Sequence, residues 1–176
     1  MGAGVALPAV TMSEAQAYVR IETGEEEAVL AGLIRTASAV CEEFLNRVVI
    51  ARDFALDVPA SGAWERVPMT PVRAISSVES VNAAGVATAL TSSGYSIDID
   101  CSGDGWVRLC QPTDGSRVRV TGSAGMASSE NEVPEPIRQG VLRLVAHLFT
   151  SRDGPAGDRP AAVTALWRPY RRLRLA

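Results

Sequence analysis

Two separated stretches of this chain carry apolar residues at helical spacing, and the stretch between them changes to a period of two. Leu30, Leu33, Ile34, Ala37, Val40, Cys41, Phe44 and Leu45 recur at i, i+3 and i+4, which predicts an amphipathic helix ending near Asn46. Ile137, Val141, Leu144, Val145 and Leu148 repeat the pattern after Pro136, a residue suited to a first helical turn because its missing N–H would have had no partner there. Ser13 with Gln16, and Thr23 with Glu26, have capping-box spacing. They predict a short first helix through about Arg20 and the start of the second. A short helical turn is expected around VTALW, near the end of the chain.

From about Val48 the alternation is that of strands. Phe54, Leu56 and Val58 alternate with Asp53, Ala55 and Asp57; Tyr95, Ile97 and Ile99 alternate with Ser96, Asp98 and Asp100; Val118 and Val120 alternate with Arg117 and Arg119. Prolines and glycines punctuate these runs, so residues 48–122 read as short antiparallel strands with one face buried and one wet. Residues 122–133 lack periodicity and read as a flexible return. The expected class is α+β, a helical core built from the N- and C-terminal helices with an antiparallel β region inserted between them. The expected divisions are 1–47 and 123–167 for the core, 48–122 for the insertion and 168–176 for a tail. That tail follows Pro169, which should stop the helix. Arg172, Leu173, Arg174 and Leu175 then alternate as an extended segment would. Gly140 sits inside the third helix, where it costs about 1 kcal/mol relative to alanine. It is tolerable where another helix crosses closely.

Charge adds a polarity to this outline. The formal net charge is -3, yet residues 1–60 hold nine acidic residues against four arginines, while residues 152–176 hold six arginines against two acids. The two ends therefore suit different partners. All basic residues are arginine; codon bias in a GC-rich genome is the simpler reading, and planar, bidentate contacts to carboxylates at an interface are the alternative. Glu25, Glu26 and Glu27 fall in a first helical turn, where the helix dipole favours negative charge. A capped and solvated helix start is a sufficient reason for them.

Candidate chemistry is sparse. The one histidine, His147, lies at or beside an apolar helix face with no nucleophile motif near it, and a packed histidine is the better reading. Cys41, Cys101 and Cys110 form no CxxC pair and suit a reducing compartment, with Cys41 a small core residue. Asp98, Asp100, Ser102 and Gly103 imitate the start of a calcium loop, but the position of the closing glutamate is Leu109 and the flanks read as strands. A polar hairpin turn accounts for the same residues. No dinucleotide fingerprint, P-loop, membrane span or secretory signal is evident, and Ala6 stands where a myristoylation signal needs Ser or Thr. No cofactor or metal is expected.

The stretches TMSEAQAYVRIETGEEEAVLAGLIRTASAVCEEFLNRVVI, PVRAISSVESV, YSIDI, VPEPIRQGVLRLVAHLFTSRD and LWRPYRRLRL, in this order and at these distances, resemble the head–tail connector (adaptor) proteins of long-tailed phages and phage-like gene transfer agents. The resemblance spans almost the whole chain and rests on helix caps and apolar spacings. It implies a non-enzymatic virion protein, assembled in the bacterial cytoplasm and located at the head–tail junction. Such a protein forms a homo-oligomeric ring, expected to be a dodecamer, that docks on the portal protein, extends the DNA channel and carries the next neck (stopper) protein and the tail. DNA would pass through without specific binding, and no membrane is involved. On that reading Arg168, Tyr170, Arg171, Arg172, Leu173, Arg174 and Leu175 are candidates for a portal-docking tail. Glu25, Glu26, Glu27, Glu42 and Glu43 are candidates for an acidic patch facing a neighbouring subunit or the channel. The alternative is a nucleic-acid-binding accessory protein acting through the arginine-rich C-terminus. An acidic chain without a recognition motif argues against it.

Overall fold

The computed structural model describes residues 5–21, 26–151 and 159–172. The chain is α+β, and it divides into two compact units: residues 51–125 carry the strands, and the described residues of 5–50 and 126–172 form a helical unit.

The helical unit contains α1 (Met12–Val19), α2 (Glu27–Leu45), α3 (Glu135–Thr150) and α4 (Ala161–Trp167). Its core is the one drawn by the two apolar stripes. Leu30, Ile34, Ala37, Cys41 and Leu45 of α2 are buried with Ile137, Val141, Leu144 and Val145 of α3, and Leu148 packs partly buried against them. The cap of α1 lies two residues earlier than its expected Ser13–Gln16 box. Thr11 is extended, its hydroxyl accepts the Glu14 N–H at 3.2 Å, and the Glu14 carboxylate accepts the Thr11 N–H at 2.9 Å. Glu14 also receives the guanidinium of Arg138 on α3, so a tertiary ion pair favours this register over the local alternative. Thr23 lies outside the described residues, and the N-cap of α2 is Glu26, with no side-chain cap. Asn46 ends α2 in the left-handed conformation at φ 53°.

Gly140 has the close neighbour that its position requires. Trp167, fully buried at the end of α4, lies across α3 there and donates its indole N–H to the carbonyl of Ile137 at 3.2 Å. A Cβ at residue 140 would fall 2.7 Å from Cδ1 and Cε2 of that ring, and nearer still to Nε1.

The segment expected as a flexible return is tied down instead. The N–H groups of Met126 and Ala127 donate to the carbonyls of Val48 and Val49 at 3.0 Å, Ala127 bridges Ile50, and Ala127 and Val133 are buried. A 3-10 turn over Glu130–Glu132 follows, with the Ser128 N–H bonded to the Glu132 carboxylate at 2.8 Å. Backbone pairing and isolated side chains hold this stretch, and neither leaves a periodic trace.

The strand unit has seven strands: β1 (Arg52–Pro59), β2 (Glu65–Arg66), β3 (Val72–Val81), β4 (Ala87–Ala89), β5 (Tyr95–Ile99), β6 (Gly105–Leu109) and β7 (Arg117–Ala124). They form two antiparallel sheets, ordered β1-β7-β3-β4 and β2-β6-β5. Phe54, Val58, Val118 and Val120 are buried at alternate positions, as expected. β3 escapes the period-two pattern because its register against β7 shifts between Val72 and Ala74 and again between Ile75 and Ser77. It consequently buries Val72, Val78 and Val81. The expectation of a buried apolar face fails on β5, where Ile97 and Ile99 are 43% and 39% exposed. That strand is the last of its sheet.

Two predictions follow from packing and charge. Gly140→Ala should destabilise the protein by about 1–3 kcal/mol, because overpacking against Trp167 outweighs the gain in helix propensity. The same substitution should be harmless or stabilising in a Trp167→Ala background, a coupling that urea denaturation of the four proteins measures. On β1, the Asp57 carboxylate accepts the Arg119 guanidinium at 2.9 Å and has Arg117 at 3.6 Å. The hydrogen bond from Arg119 is the main cause of an Asp57 pKa below the usual 3.8, with the charges of both arginines adding to it. Because the folded-state pKa is depressed, the stabilisation is present above about pH 4 and is lost as pH falls through the lowered value. Carboxyl NMR titration should show Arg119→Gln returning Asp57 towards its ordinary range.

Candidate interaction site

The C-terminal segment begins differently from the expected extended tail. Arg168–Tyr170 form a 3-10 turn that continues directly from α4, and Arg171 is the first extended residue. Pro169 lies in the first positions of that turn, where no hydrogen bond needs its missing N–H, so the proline tightens the helix before ending it.

This segment then returns to the C-terminal end of α2. The Arg172 N–H donates to the Leu45 carbonyl at 2.9 Å, satisfying one of the carbonyls that a helix end leaves without an internal partner. The Arg171 guanidinium lies 5.2 Å from the ring centroid of Phe44, and that of Arg159 lies 5.0 Å from it. The Phe44 and Trp167 rings are 5.9 Å apart, tilted at 45°. Phe44 is thus a half-buried platform with two guanidinium groups on it and the buried indole beside it. Each exposed cation–π contact contributes about 0.5–1 kcal/mol. Phe44 and Arg159 were not among the residues that the sequence singled out. Phe44 counted only as part of an apolar stripe, and nothing local links it to Arg159.

Of the candidate tail residues, Arg168 is exposed and Tyr170 is half-buried against the helical core, while Arg171 and Arg172 make the contacts just given. Leu173, Arg174 and Leu175 lie outside the described residues. Of the candidate acidic residues, Glu25 also lies outside them. Glu26 and Glu27 stand at the start of α2, where Glu27 accepts the Gln16 side-chain amide at 3.2 Å. Glu42 and Glu43 stand at the other end of the helix, about 24 Å away at 1.5 Å per residue. The described glutamates therefore form two separate groups. Glu42 accepts the Val49 N–H at 2.8 Å, fixing the chain just after α2, while Glu43 is exposed.

His147 is half-buried, and its backbone carbonyl accepts the Ser151 hydroxyl at 2.7 Å. The calcium-like turn is held by Asp100, whose Oδ1 accepts the N–H groups of Ser102 and Asp104 at 2.8 and 2.9 Å and whose Oδ2 accepts the Trp106 indole at 3.1 Å. Asp104 in turn accepts Arg66 at 2.9 Å. Among the described residues no group of three or more His, Cys, Asp or Glu side chains could hold a metal ion.

With this geometry in place, solved structures supply the comparison. A chain from the neck of an empty gene transfer agent (GTA) particle computed with C6 symmetry matches with a TM-score of 0.79 and 28% identity, covering 99% of this chain and 95% of that one. A chain from the neck of a native GTA particle computed with C12 symmetry matches at 0.77 and 26%, covering 99% and 95%. One from the virion of a native gene transfer agent particle matches at 0.76 and 27%, covering 96% and 92%. The chain is built like the neck proteins of gene transfer agents. Likeness at this coverage includes both units, the helical core and the inserted strands alike. No protein-family model and no curated protein matches the chain.

The buried thiol of Cys41 on α2 is held inert. Burial pushes the Cys41 thiol pKa far above its usual value, the charge of Glu42 raises it further, and Arg159 opposes the shift. Cys101 and Cys110 are exposed. An Ellman's-reagent titration of the reduced native protein should count two fast thiols, with the third reacting only on unfolding.

Proposed function

We propose that this chain is a structural, non-enzymatic subunit of the neck of a phage-like particle, located at the head–tail junction. The observation that carries the reading is the end-to-end likeness, at 28% identity, to a chain of a gene transfer agent neck. Local similarity would leave one unit unmatched, whereas here 99% of the chain is covered.

In this reading the chain is an adaptor. Copies of it form a ring, in keeping with the C6 and C12 symmetries of the similar neck structures. The ring docks on the portal, extends the DNA channel and carries the stopper and tail. A closed head-to-tail ring needs two different complementary patches on every subunit. The unequal charge of the two chain ends supplies one source of such complementarity. No described helix is long and apolar enough to cross a membrane.

Electron cryomicroscopy of purified particles tests the proposal. The expected result is density for this chain in a ring directly below the portal, with filled but tailless heads accumulating when its gene is deleted. Particles that lack the chain, or that carry it as a monomer elsewhere, would overturn the proposal.

A further inference from the structure

The three-stranded sheet carries a surface that the helical unit does not explain. Among the described residues β5 pairs with β6 alone and is the last strand of its sheet, so its outer side offers backbone N–H and C=O groups to a further strand. Its sequence there is Ile97-Asp98-Ile99. Both isoleucines are substantially exposed, an unusual state for two adjacent same-face β-branched residues on a strand.

Asp98 points to the opposite face. Cross-strand register places it beside Trp106, and the two residues line a shallow recess together with Trp64, which is 42% exposed. The Trp64 ring already takes one guanidinium, that of Arg108, at 4.8 Å from its centroid. A carboxylate at the sheet edge with the Trp106 indole beside it suits a second guanidinium, which would gain both an ion pair and an aromatic face. The edge therefore asks for an extended segment with an arginine flanked by two aliphatic residues. The arginine would enter the recess while the flanking residues cover Ile97 and Ile99.

The chain itself carries that segment at its C-terminus, as Leu173-Arg174-Leu175. We propose that the edge of β5 receives the C-terminal segment of a second copy of this chain, with Arg174 paired to Asp98 and the two leucines on the isoleucines. Opposite charges and apolar pairs facing each other across neighbouring strands match on both faces at once. The contact is heterologous, one subunit giving its terminus and the next its sheet edge, which is the type that closes rings. The inference rests on the ring reading and gives it one specific subunit contact.

A peptide of residues 168–176 provides the test, titrated into full-length protein carrying Arg174→Glu so that the receptor's own terminus does not compete. Saturable shifts of the Trp64 and Trp106 indole N–H resonances are expected. Asp98→Asn should weaken binding at least fivefold, and a peptide with Arg174→Glu should regain affinity for an Asp98→Arg receptor that keeps its own Arg174, whose terminus is then the non-matching one. A peptide of the same composition with its arginines and leucines grouped should bind more weakly. Absence of saturation, or equal binding of the grouped peptide, overturns the inference. If the peptide fails while microscopy places the ring below the portal, the neck assignment stands and the terminus belongs to the portal contact.

Discussion

The helical unit depends on one close approach, the indole of Trp167 laid across Gly140. Truncating a buried tryptophan typically costs about 3–5 kcal/mol, whereas a glycine in a helix interior costs about 1 kcal/mol, so a helix-weakening residue is the favourable choice at that position. The contact does more than fill space. It fixes α4 on α3, brings the Trp167 ring beside Phe44 on α2, and thereby sets where Arg171 and Arg172 meet the end of that helix. The C-terminal segment inherits its starting point from a residue that carries no side chain.

The discontinuous core also explains how a β unit can sit inside a helical one. Residues 50 and 127 bridge each other, and Met126 and Ala127 bond to the Val48 and Val49 carbonyls. The chain leaves and re-enters the helical unit through neighbouring points. An insertion with adjoining ends leaves the parent fold geometrically undisturbed, because the host closes over the same gap whatever the inserted chain does.

What was legible in the sequence follows from which forces are periodic. The stripes of α2 and α3 were readable because a helix buried on one side repeats its apolar positions, and β1 and β7 were readable for the same reason at a period of two. β3 was not, because register shifts interrupt its alternation while its hydrogen bonds persist. The alternation of β5 identifies a strand, yet its two isoleucines are 43% and 39% exposed. Alternation reports which residues share a face and says nothing about whether the strand is central or at an edge. The cap of α1 is not decided locally, because Arg138, distant in sequence, adds an ion pair to Glu14 and selects between two registers. At the candidate site, the arginines were visible as composition, whereas the Phe44 platform that holds two of them depends on tertiary placement alone.

The same distinction bears on how such a chain can hold a partner. A short segment that docks on a sheet edge makes few contacts, and these must offset the entropy lost in fixing its backbone. Anchoring its base reduces what must be ordered on contact. The backbone bond from Arg172 to Leu45 and the stacking of Arg171 on Phe44 fix the two residues immediately before the segment. In the proposed docking a partner therefore meets a terminus whose base is already fixed, and fewer cross-strand pairs are needed than for a free peptide.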